Sequence, residues 1–267
     1  MNRQQIVRTR AITEALEGRQ LLSAAWMNNG VLFVEGTYFN DQIIVRQLNN
    51  QITVSGVRGS VPQSAVRAIA IDGNSGNDRI ILSNPNLEGG VQYIYKPCFI
   101  SGGDGNDLIV GGAGNDLILG GFGQDTIYGL WGNDIIAAGS GHDWADGGAG
   151  NDYIAGQDGY DTLFGSDGND WIDGGNNFDS LSGGAGNNVL ADDFGGASVA
   201  ANRVGVDRTA VRMPMVSVSG LQSTPVRDLG SITPAWRQNT FLYNALGPDL
   251  YNDILVNKTV PSSFGWL

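Results

Sequence analysis

Aspartate recurs at every ninth residue through the middle of the chain, each time behind a glycine-rich run. The series is Asp107, Asp116, Asp125, Asp134, Asp143, Asp152, Asp161, Asp170 and Asp179, with Asn188 in the last place. Residues 102–191 contain no Lys or Arg and a single His, His142, so the chain offers these carboxylates almost no counter-charge. Two carboxylates about 5 Å apart repel by roughly 3 kcal/mol at an effective dielectric near 20. Carboxylates and turn carbonyls are the hard oxygen ligands that Ca²⁺ takes, whereas Mg²⁺ demands a smaller octahedral cage.

These aspartates occupy the sixth position of a nine-residue unit that runs ten times without a break from residue 102 to residue 191. The first copy reads GGDGNDLIV and the second GGAGNDLIL. Six residues rich in Gly and Asp favour a tight turn, and three β-favouring residues favour a short strand. Strand side chains alternate, so the middle residue of each strand points away from its two neighbours. The middle residues are almost uniformly aliphatic and form the expected core: Ile109, Ile118, Ile127, Ile136, Ala145, Ile154, Leu163, Ile172, Leu181 and Leu190.

Each strand contributes one side chain to the core. Such a core can be enclosed only if the chain winds into a coil that brings strands face to face. Two units then make one coil of eighteen residues, with two parallel sheets facing each other. Equivalent turns stack at about 4.8 Å, which is the strand spacing of a sheet. Asp107, Asp125, Asp143, Asp161 and Asp179 fall on one edge, and Asp116, Asp134, Asp152 and Asp170 on the other. The sequence therefore predicts two columns of carboxylates.

The unit resembles the glycine-rich nonapeptide of repeats-in-toxin (RTX) proteins, a Ca²⁺-binding parallel β-helix repeat. The resemblance covers about a third of the chain and implies an all-β, right-handed parallel β-roll or β-solenoid, with Ca²⁺ between stacked turns. It also implies secretion and folding on meeting external calcium. The metal ligands that it implies are Asp78, Gly102, Asp104, Gly105, Asp107, Gly114, Asp116, Gly123, Asp125, Gly132, Asp134, Gly141, Asp143, Gly150, Asp152, Gly159, Asp161, Gly168, Asp170 and Asp179.

Pairing aspartates two units apart gives four expected sites on the first edge and three on the second, with an eighth, weaker site between Asp170 and Asn188. Five residues replace glycines of the unit: Ala138 at position one, Leu130, Gln157 and Ser166 at position two, and Asn177 at position four. Asn is the next best residue for a left-handed backbone. We therefore expect the pair Asp161 and Asp179 to be weakened, and Asn188 to end the array.

Four regions follow from the pattern. Residues 1–25 form an N-terminal segment whose run LEGRQLLSA, residues 16–24, resembles the Leu-Glu-Pro-Arg type motif of exported bacterial proteins, with Gly18 in place of Pro; an amphipathic helix of no special role is the alternative. Residues 26–101 are expected to form less regular solenoid coils, with 73–81 a nearly complete copy of the unit and 82–101 looping out. The regular roll spans 102–194, and 195–267 forms a C-terminal cap or a secretion region. No stretch predicts a conventional signal peptide or a transmembrane span.

Composition narrows the function. A count of 41 Gly and a net charge of −12 are not those of an ordinary globular enzyme, and the charge argues against nucleic acid or an anionic membrane as a partner. Cys98 is the only cysteine, so no disulfide is available to stabilise the fold. Calcium can serve instead, because the free energy of binding to a site absent from the unfolded chain is folding free energy.

No catalytic motif stands out. The chain has neither a His-Glu-x-x-His pair nor a Gly-x-Ser-x-Gly elbow, and His142 reads as a substitute for the Asn that usually holds position five. The carboxylate pairs all resemble one another, whereas catalysis needs one distinguished pair. We expect a secreted, non-catalytic calcium-binding protein. The alternative is a surface adhesin or carbohydrate-binding module, or a non-catalytic part related to an RTX hydrolase or epimerase.

Two further surfaces bear on partners. Aromatic side chains that could stack on a glycan occur on turns and outer faces: Phe122, Trp131, Tyr160, Phe178, Trp144 and Trp171. The outward strand positions of one sheet are Leu117, Leu119, Ile135, Ala137, Tyr153, Ala155, Trp171, Asp173, Val189 and Ala191. This face is too apolar to be left bare, so we expect the C-terminal segment or a partner protein to cover it.

Overall fold

The computed structural model of the chain describes residues 24–82 and 93–191, and the expectations for residues 1–23, 83–92 and 192–267 lie outside them. The described part is all-β apart from one short 3₁₀ turn, Gln63–Ala65. The strands are β1 Ala24–Asn28, β2 Val31–Glu35, β3 Gln42–Leu48, β4 Gln51–Val54, β5 Val61–Pro62, β6 Ala68–Asp72, β7 Arg79–Ile81, β8 Cys98–Asp104, β9 Leu108–Val110, β10 Leu117–Phe122, β11 Thr126–Trp131, β12 Ile135–Ser140, β13 Trp144–Ala149, β14 Tyr153–Asp158, β15 Thr162–Asp167, β16 Trp171–Asn176, β17 Ser180–Ser182 and β18 Val189–Ala191.

The strands form two nine-stranded sheets, and strands alternate between them through the array. The first sheet has the order β1-β2-β6-β8-β10-β12-β14-β16-β18, and the second β17-β15-β13-β11-β9-β7-β3-β4-β5. Within the array, each strand pairs in parallel with the strand eighteen residues further on, as Leu117 does with Ile135 and Ile135 with Tyr153. The predicted parallel β-solenoid with two facing sheets is confirmed.

The first coils depart from the parallel pattern at their outer ends. Strand β1 pairs antiparallel with β2, and β3 with β4 and β4 with β5 do the same. The tight turn between β1 and β2 places Asn29 and Gly30 at positive φ, as short hairpin turns require. From β2 onward, however, β2, β6 and β8 pair in parallel. These coils therefore join the solenoid, as expected for residues 26–101, and hairpins end each sheet.

A single hydrophobic core lies between the sheets. The inward residues from Ile109 to Leu181 are all buried, and Leu190 packs against them half-buried. Leu32, Val34, Ile43, Val45, Ile69 and Ile71 continue this core into the first coils. The predicted core residues of the array are thus confirmed as the inward series.

The strands at the centre of the array are longer than predicted. Strand β11 covers six residues rather than three, because the ladder continues through the first positions of the following unit. Leu130 and Trp131, for example, pair with Gly148 and Ala149. The four replacements at positions two and four take a left-handed backbone: Leu130, Gln157, Ser166 and Asn177 have φ of 82°, 79°, 71° and 81°.

The expected insertion at residues 82–101 is shorter than the pattern suggested. Strand β8 begins at Cys98, pairs with β6 and β10, and points Ile100 into the core. The N–H of Ala113 donates to the carbonyl of Ile94 at 2.7 Å, so the residues just before β8 already stack on the next coil. The alternation of residues 98–101 accounts for this, since it places Cys98 and Ile100 on the same side of the strand.

The apolar outer face of the first sheet is buried over part of its length, and its outward residues from Trp171 to Ala191 are half-buried. Leu117, Leu119, Ile135, Ala137 and Ala155 point away from the core yet expose only 4 to 7 % of their surface. This agrees with the expectation that the face is not bare. The segment 195–267, which was expected to cover it, lies outside the described residues.

Candidate metal centre

The aspartates at position six form two columns linked by backbone hydrogen bonds. On the first edge the N–H of Asp107 donates to Oδ1 of Asp125 at 2.8 Å, and the same 2.8 Å bond joins Asp125 to Asp143, Asp143 to Asp161 and Asp161 to Asp179. On the second edge Asp116, Asp134, Asp152 and Asp170 are joined in the same way at 2.8 to 3.0 Å. Each of these side chains exposes at most 3 % of its surface. The structure therefore brings the predicted carboxylates together, including the pair Asp161 and Asp179.

The second carboxylate oxygen has no donor in most of these turns. The buried Oδ2 atoms without a hydrogen-bond partner belong to Asp78, Asp107, Asp125, Asp134, Asp143, Asp152, Asp161 and Asp170. Buried polar atoms are rarely left unsatisfied in a native protein, because the lost hydration costs free energy. A row of such oxygens at equivalent positions indicates that each is oriented towards a ligand.

Burial perturbs the titration of the columns. Desolvation, together with the neighbouring carboxylates of Asp107 and Asp143, raises the pKa of Asp125 to about 8. Desolvation likewise raises the pKa of Asp161 to about 7 and that of Asp143 to about 6. On the second edge burial raises the pKa of Asp134, with Asp116 and Asp152 adding to the effect. Without a cation, the columns therefore retain protons near neutral pH.

Backbone carbonyls line the gaps between stacked turns. A Cβ placed on Gly120 would contact both the carbonyl oxygen of Ala138 in the next coil and Oδ2 of Asp125. A Cβ on Gly123 would contact the carbonyl oxygen of Gly105 in the preceding coil. At Gly120 and Gly123, oxygen atoms thus occupy the space that a side chain would fill. Position one nevertheless holds Ala138 in one unit, and position four holds Asn177 in another.

The donor set fits a hard cation. Across residues 24–82 and 93–191, no three His, Cys, Asp or Glu side chains form a cluster that could hold a metal. Carboxylate oxygens of the stacked turns and the backbone carbonyls beside them are the oxygen atoms that line each gap. An oxygen-only, irregular shell of this kind suits Ca²⁺ better than Zn²⁺ or Mg²⁺.

One predicted side chain is not part of the columns. The side chain of Asp104, at position three, is exposed, and its Oδ2 accepts a hydrogen bond from the Ser75 hydroxyl at 3.3 Å. Its own carbonyl accepts the N–H of Gly76 at 2.7 Å. The structure does not bring the Asp104 carboxylate into the columns, because position three faces the outside of the turn. Asp78 does join the first column, since its N–H donates to Oδ1 of Asp107 at 2.7 Å.

The sequence analysis missed Asp41. Its N–H donates to Oδ1 of Asp78 at 2.7 Å, which places it at the head of the first column. The signal was present in the sequence: residues 36–43 read GTYFNDQI, a turn followed by a strand, with Asp in the sixth place. The spacing of 37 residues between Asp41 and Asp78 hides the equivalence.

A second ladder stacks the outer side of the turns. The side chain at position five accepts the N–H of the same position in the next coil, as Asn133 does from Asn151 at 2.7 Å. His142 fills this role with Nδ1, which accepts the N–H of Tyr160 at 2.9 Å. The histidine thus takes the place of Asn in the ladder, in agreement with its expected role.

The aromatic side chains of the second sheet pack against one another. Ring centroids of Tyr128 and Trp144 are 4.7 Å apart, and those of Trp144 and Phe164 are 5.5 Å apart, with the rings tilted. Cross-strand packing accounts for this row. Tyr160 and Phe178, on the turns, are exposed.

The described part of the chain is thus a two-sheeted β-solenoid of repeats whose stacked turns present columns of buried carboxylates. The comparison with known families agrees: the chain carries RTX calcium-binding nonapeptide repeats, and the family model of that repeat (4 copies) matches residues 99–127, 128–163 and 164–191. No curated protein and no solved structure matches the chain. Among the described residues, no helix is long and apolar enough to cross a membrane.

Proposed function

We propose that this chain is a secreted, non-catalytic protein whose β-roll folds by binding Ca²⁺. The observation that supports the proposal is the row of buried Asp Oδ2 atoms that have no donor within the protein. Ca²⁺ supplies both the missing partner of each oxygen and the counter-charge that residues 102–191 lack.

Folding and binding are coupled in this scheme. Each array strand contributes mainly one inward aliphatic residue, such as Ile127 or Ile154, so hydrophobic burial per coil is small. Against it stands the desolvation of one carboxylate per turn, which is unfavourable to the charged form. Metal binding makes folding of the array favourable, because the sites exist only when turns stack and the free energy of binding therefore adds to that of folding.

Secretion follows from the same physics. In a compartment poor in calcium, closing the array would bury carboxylates that are ionised in the open chain, so the array stays extended, which suits export. Outside the cell, where calcium is abundant, the array closes. The family resemblance supports this export route. The route is tested by measuring whether the protein is found in the medium or in the cells of a culture of its source.

The absence of catalysis is part of the proposal. It is supported by the similarity of the successive carboxylate pairs, none of which is distinguished from the rest. It is also supported by His142, whose Nδ1 accepts the backbone N–H of Tyr160. Because Nδ1 accepts this N–H, the proton of the neutral imidazole lies on Nε2, so neither nitrogen offers a free lone pair to act as a general base.

The test is far-UV circular dichroism of the full chain titrated with CaCl₂. We expect a cooperative gain of β signal that the double variant Asp125→Ala with Asp143→Ala abolishes or shifts to much higher calcium. The matched control is Asp158→Ala with Asp167→Ala, which removes two exposed carboxylates from turns 156–161 and 165–170 of the same array and should titrate like the wild type.

MgCl₂ provides the second arm of the test. The proposal expects little β signal with Mg²⁺ at concentrations where Ca²⁺ folds the chain, because Mg²⁺ retains its water and prefers a smaller cage. A full β signal in chelator, unchanged by calcium, would show that the solenoid stands without metal and would overturn the proposal.

A further inference from the structure

The first column of carboxylates continues upstream of the matched repeats. The N–H to Oδ1 bonds join Asp41 to Asp78 and Asp78 to Asp107 at 2.7 Å, although the sequence separations are 37 and 29 residues instead of the 18 of the array. Asp78 and Asp41 both expose 3 % of their surface or less. The column thus enters a part of the chain that the family model does not match.

The gap between turn 73–78 and turn 102–107 has the same walls as the gaps of the array. A Cβ on Gly73 would contact the carbonyl oxygen of Gly102 and Oδ2 of Asp78, as a Cβ on Gly102 contacts the equivalent atoms one coil on. A Cβ on Gly105 would contact the carbonyl oxygen of Gly76, just as a Cβ on Gly123 would contact the carbonyl oxygen of Gly105 one coil further on. Oδ2 of Asp78 is buried and has no donor.

The preceding gap, between turn 36–41 and turn 73–78, is closed by the protein itself. The backbone N–H of Thr37 donates to Oδ2 of Asp41 at 2.5 Å, and the Thr37 hydroxyl donates to the same oxygen at 3.0 Å. The Asn74 amide donates to the carbonyl of Gly36 at 3.3 Å. Protein donors therefore satisfy Oδ2 of Asp41, the atom that Asp78 leaves without a donor in the next gap. The carbonyl that faces Oδ2 of Asp41 across this gap is that of Gly73, and Oδ1 of Asp41 is buried without a partner at the end of the column.

The far end of the second column is closed in a similar way. Asn188 accepts the N–H of Asp170 with Oδ1, and its Nδ2 donates to the carbonyl of Gly183 at 2.8 Å. In the preceding turn of that edge the equivalent atom is the Oδ2 of Asp170, which has no donor. A side-chain N–H thus stands where the turns of Asp134, Asp152 and Asp170 present an oxygen without a donor. Oδ2 of Asp116, at the other end of this edge, accepts the N–H of Gly112 at 2.8 Å.

We propose that Asp78 holds a Ca²⁺ ion together with the carbonyl of Gly102, one coil upstream of the matched repeats, and that the Asp41 turn ends the column without metal. The inference rests on the proposed calcium binding of the array and assigns its upstream limit. Thr37, whose backbone N–H and hydroxyl both donate to Oδ2 of Asp41, is the residue that makes the last turn independent of a cation.

Hydrogen exchange of the full chain, followed by mass spectrometry with and without calcium, tests this limit. In the wild type, calcium should slow exchange in peptides covering residues 73–82 as well as in those covering 117–176. Asp78→Asn should abolish the effect of calcium on residues 73–82 and leave that on 117–176. The variant keeps the Oδ1 acceptor and side-chain size, so it perturbs the stack little.

Asp41→Asn is the matched control, since it makes the same change one coil upstream. It should leave the calcium effect on residues 73–82 in place, and equilibrium dialysis should show one Ca²⁺ fewer per chain for Asp78→Asn only. Protection of 73–82 that survives Asp78→Asn, or that Asp41→Asn removes equally, overturns the assignment while the proposed function stands. A wild-type chain in which no peptide responds to calcium overturns both.

Discussion

The first coils and the regular array share two sheets and one column of aspartates, but they are stabilised differently. Strand β2 buries Leu32 and Val34 in the core, and β6 buries Ile69 and Ile71. In the array a strand such as β14 sends only Ile154 into the same core. Per coil, residues 24–82 therefore bury about twice as many large aliphatic side chains as the array, and the array relies on charge compensation between turns.

Under the proposed calcium binding, one architecture is stabilised by two means. Hydrophobic burial contributes about 25 cal/mol for each Å² of apolar surface and needs no ligand. Carboxylate stacking costs free energy until a cation arrives, and then contributes the free energy of binding. We infer that the first coils act as a preformed end on which the array assembles.

Removal of calcium should separate the two regions most clearly. In chelator, amides of residues 117–176 should exchange at least about tenfold faster than in calcium, whereas those of β2, β3 and β6 should change by less than about twofold, because their opening depends on hydrophobic contacts. Hydrogen exchange on the full chain measures both regions at once.

Titration of magnesium in place of calcium controls for ionic strength and should leave the array as in chelator. If residues 31–54 open together with 117–176, the solenoid is a single cooperative unit and the division into two means of stabilisation is wrong.

The pH dependence of the metal-free chain should run opposite to that of an ordinary acidic protein. Burial raises the pKa of Asp125 and Asp78 to about 8 and that of Asp161 to about 7 in the fold, while the unfolded carboxyls ionise near their ordinary value. Below about pH 4 these carboxyls are protonated in both the folded and the unfolded state, so they do not change the free energy of unfolding. As pH rises to about 8, the unfolded chain loses protons that the fold retains, so the free energy of unfolding falls.

Urea denaturation in calcium-depleted buffer at about pH 5, 6.5 and 8 measures this slope. Saturating calcium should abolish or reverse it, because binding displaces the protons and tightens as they leave. The same slope in calcium and in its absence would show that the columns do not titrate with folding.

Much of this architecture follows from the sequence alone. Within the array the nine-residue period sets strands, inward residues and columns together, because every unit repeats the same turn. The period does not reveal Asp41, whose coil includes the β3 and β4 hairpin, nor that β8 starts at Cys98. In those coils the register depends on long-range pairing, such as Ile69 with Cys98, which local spacing does not encode.

The repeat motif also does not predict the hydrogen bonds that satisfy the turns at the ends of the two columns. Thr37 occupies a position where the unit has Gly, and its two hydrogen bonds to Asp41 depend on the conformation of the turn. Asn188 departs from the motif by one atom, and the sequence predicts a weaker site there. Only the contact of its Nδ2 with Gly183 explains how the turn is satisfied.

Asn188→Asp should convert this closed end into an open one. The new Oδ2 would face the Gly183 carbonyl without a donor, so the turn would be less stable in chelator and would bind calcium more tightly with Asp170. We expect the weakest calcium step to tighten about tenfold, equal to about 1.4 kcal/mol. Isothermal titration calorimetry measures the step.

Asn187→Asp is the matched control, because it adds the same charge one residue away at position five, which is exposed. An equal gain in affinity from both variants would mean that net charge, and not the opened turn, attracts the ion.

The smallest expected effect concerns backbone strain within the array. Gln157 holds a left-handed φ of 79° between Gly139 and Gly175 of the neighbouring strands. A non-glycine residue in this conformation costs roughly 1 to 2 kcal/mol, and the greater freedom of Gly in the unfolded chain offsets about half of that. Gln157→Gly should therefore raise the free energy of unfolding in calcium by about 0.5 to 1 kcal/mol, measured by urea denaturation. Gln124→Gly makes the same change at a residue without positive φ and should destabilise the array; if both variants lower stability, strain at position two is not a property of this roll.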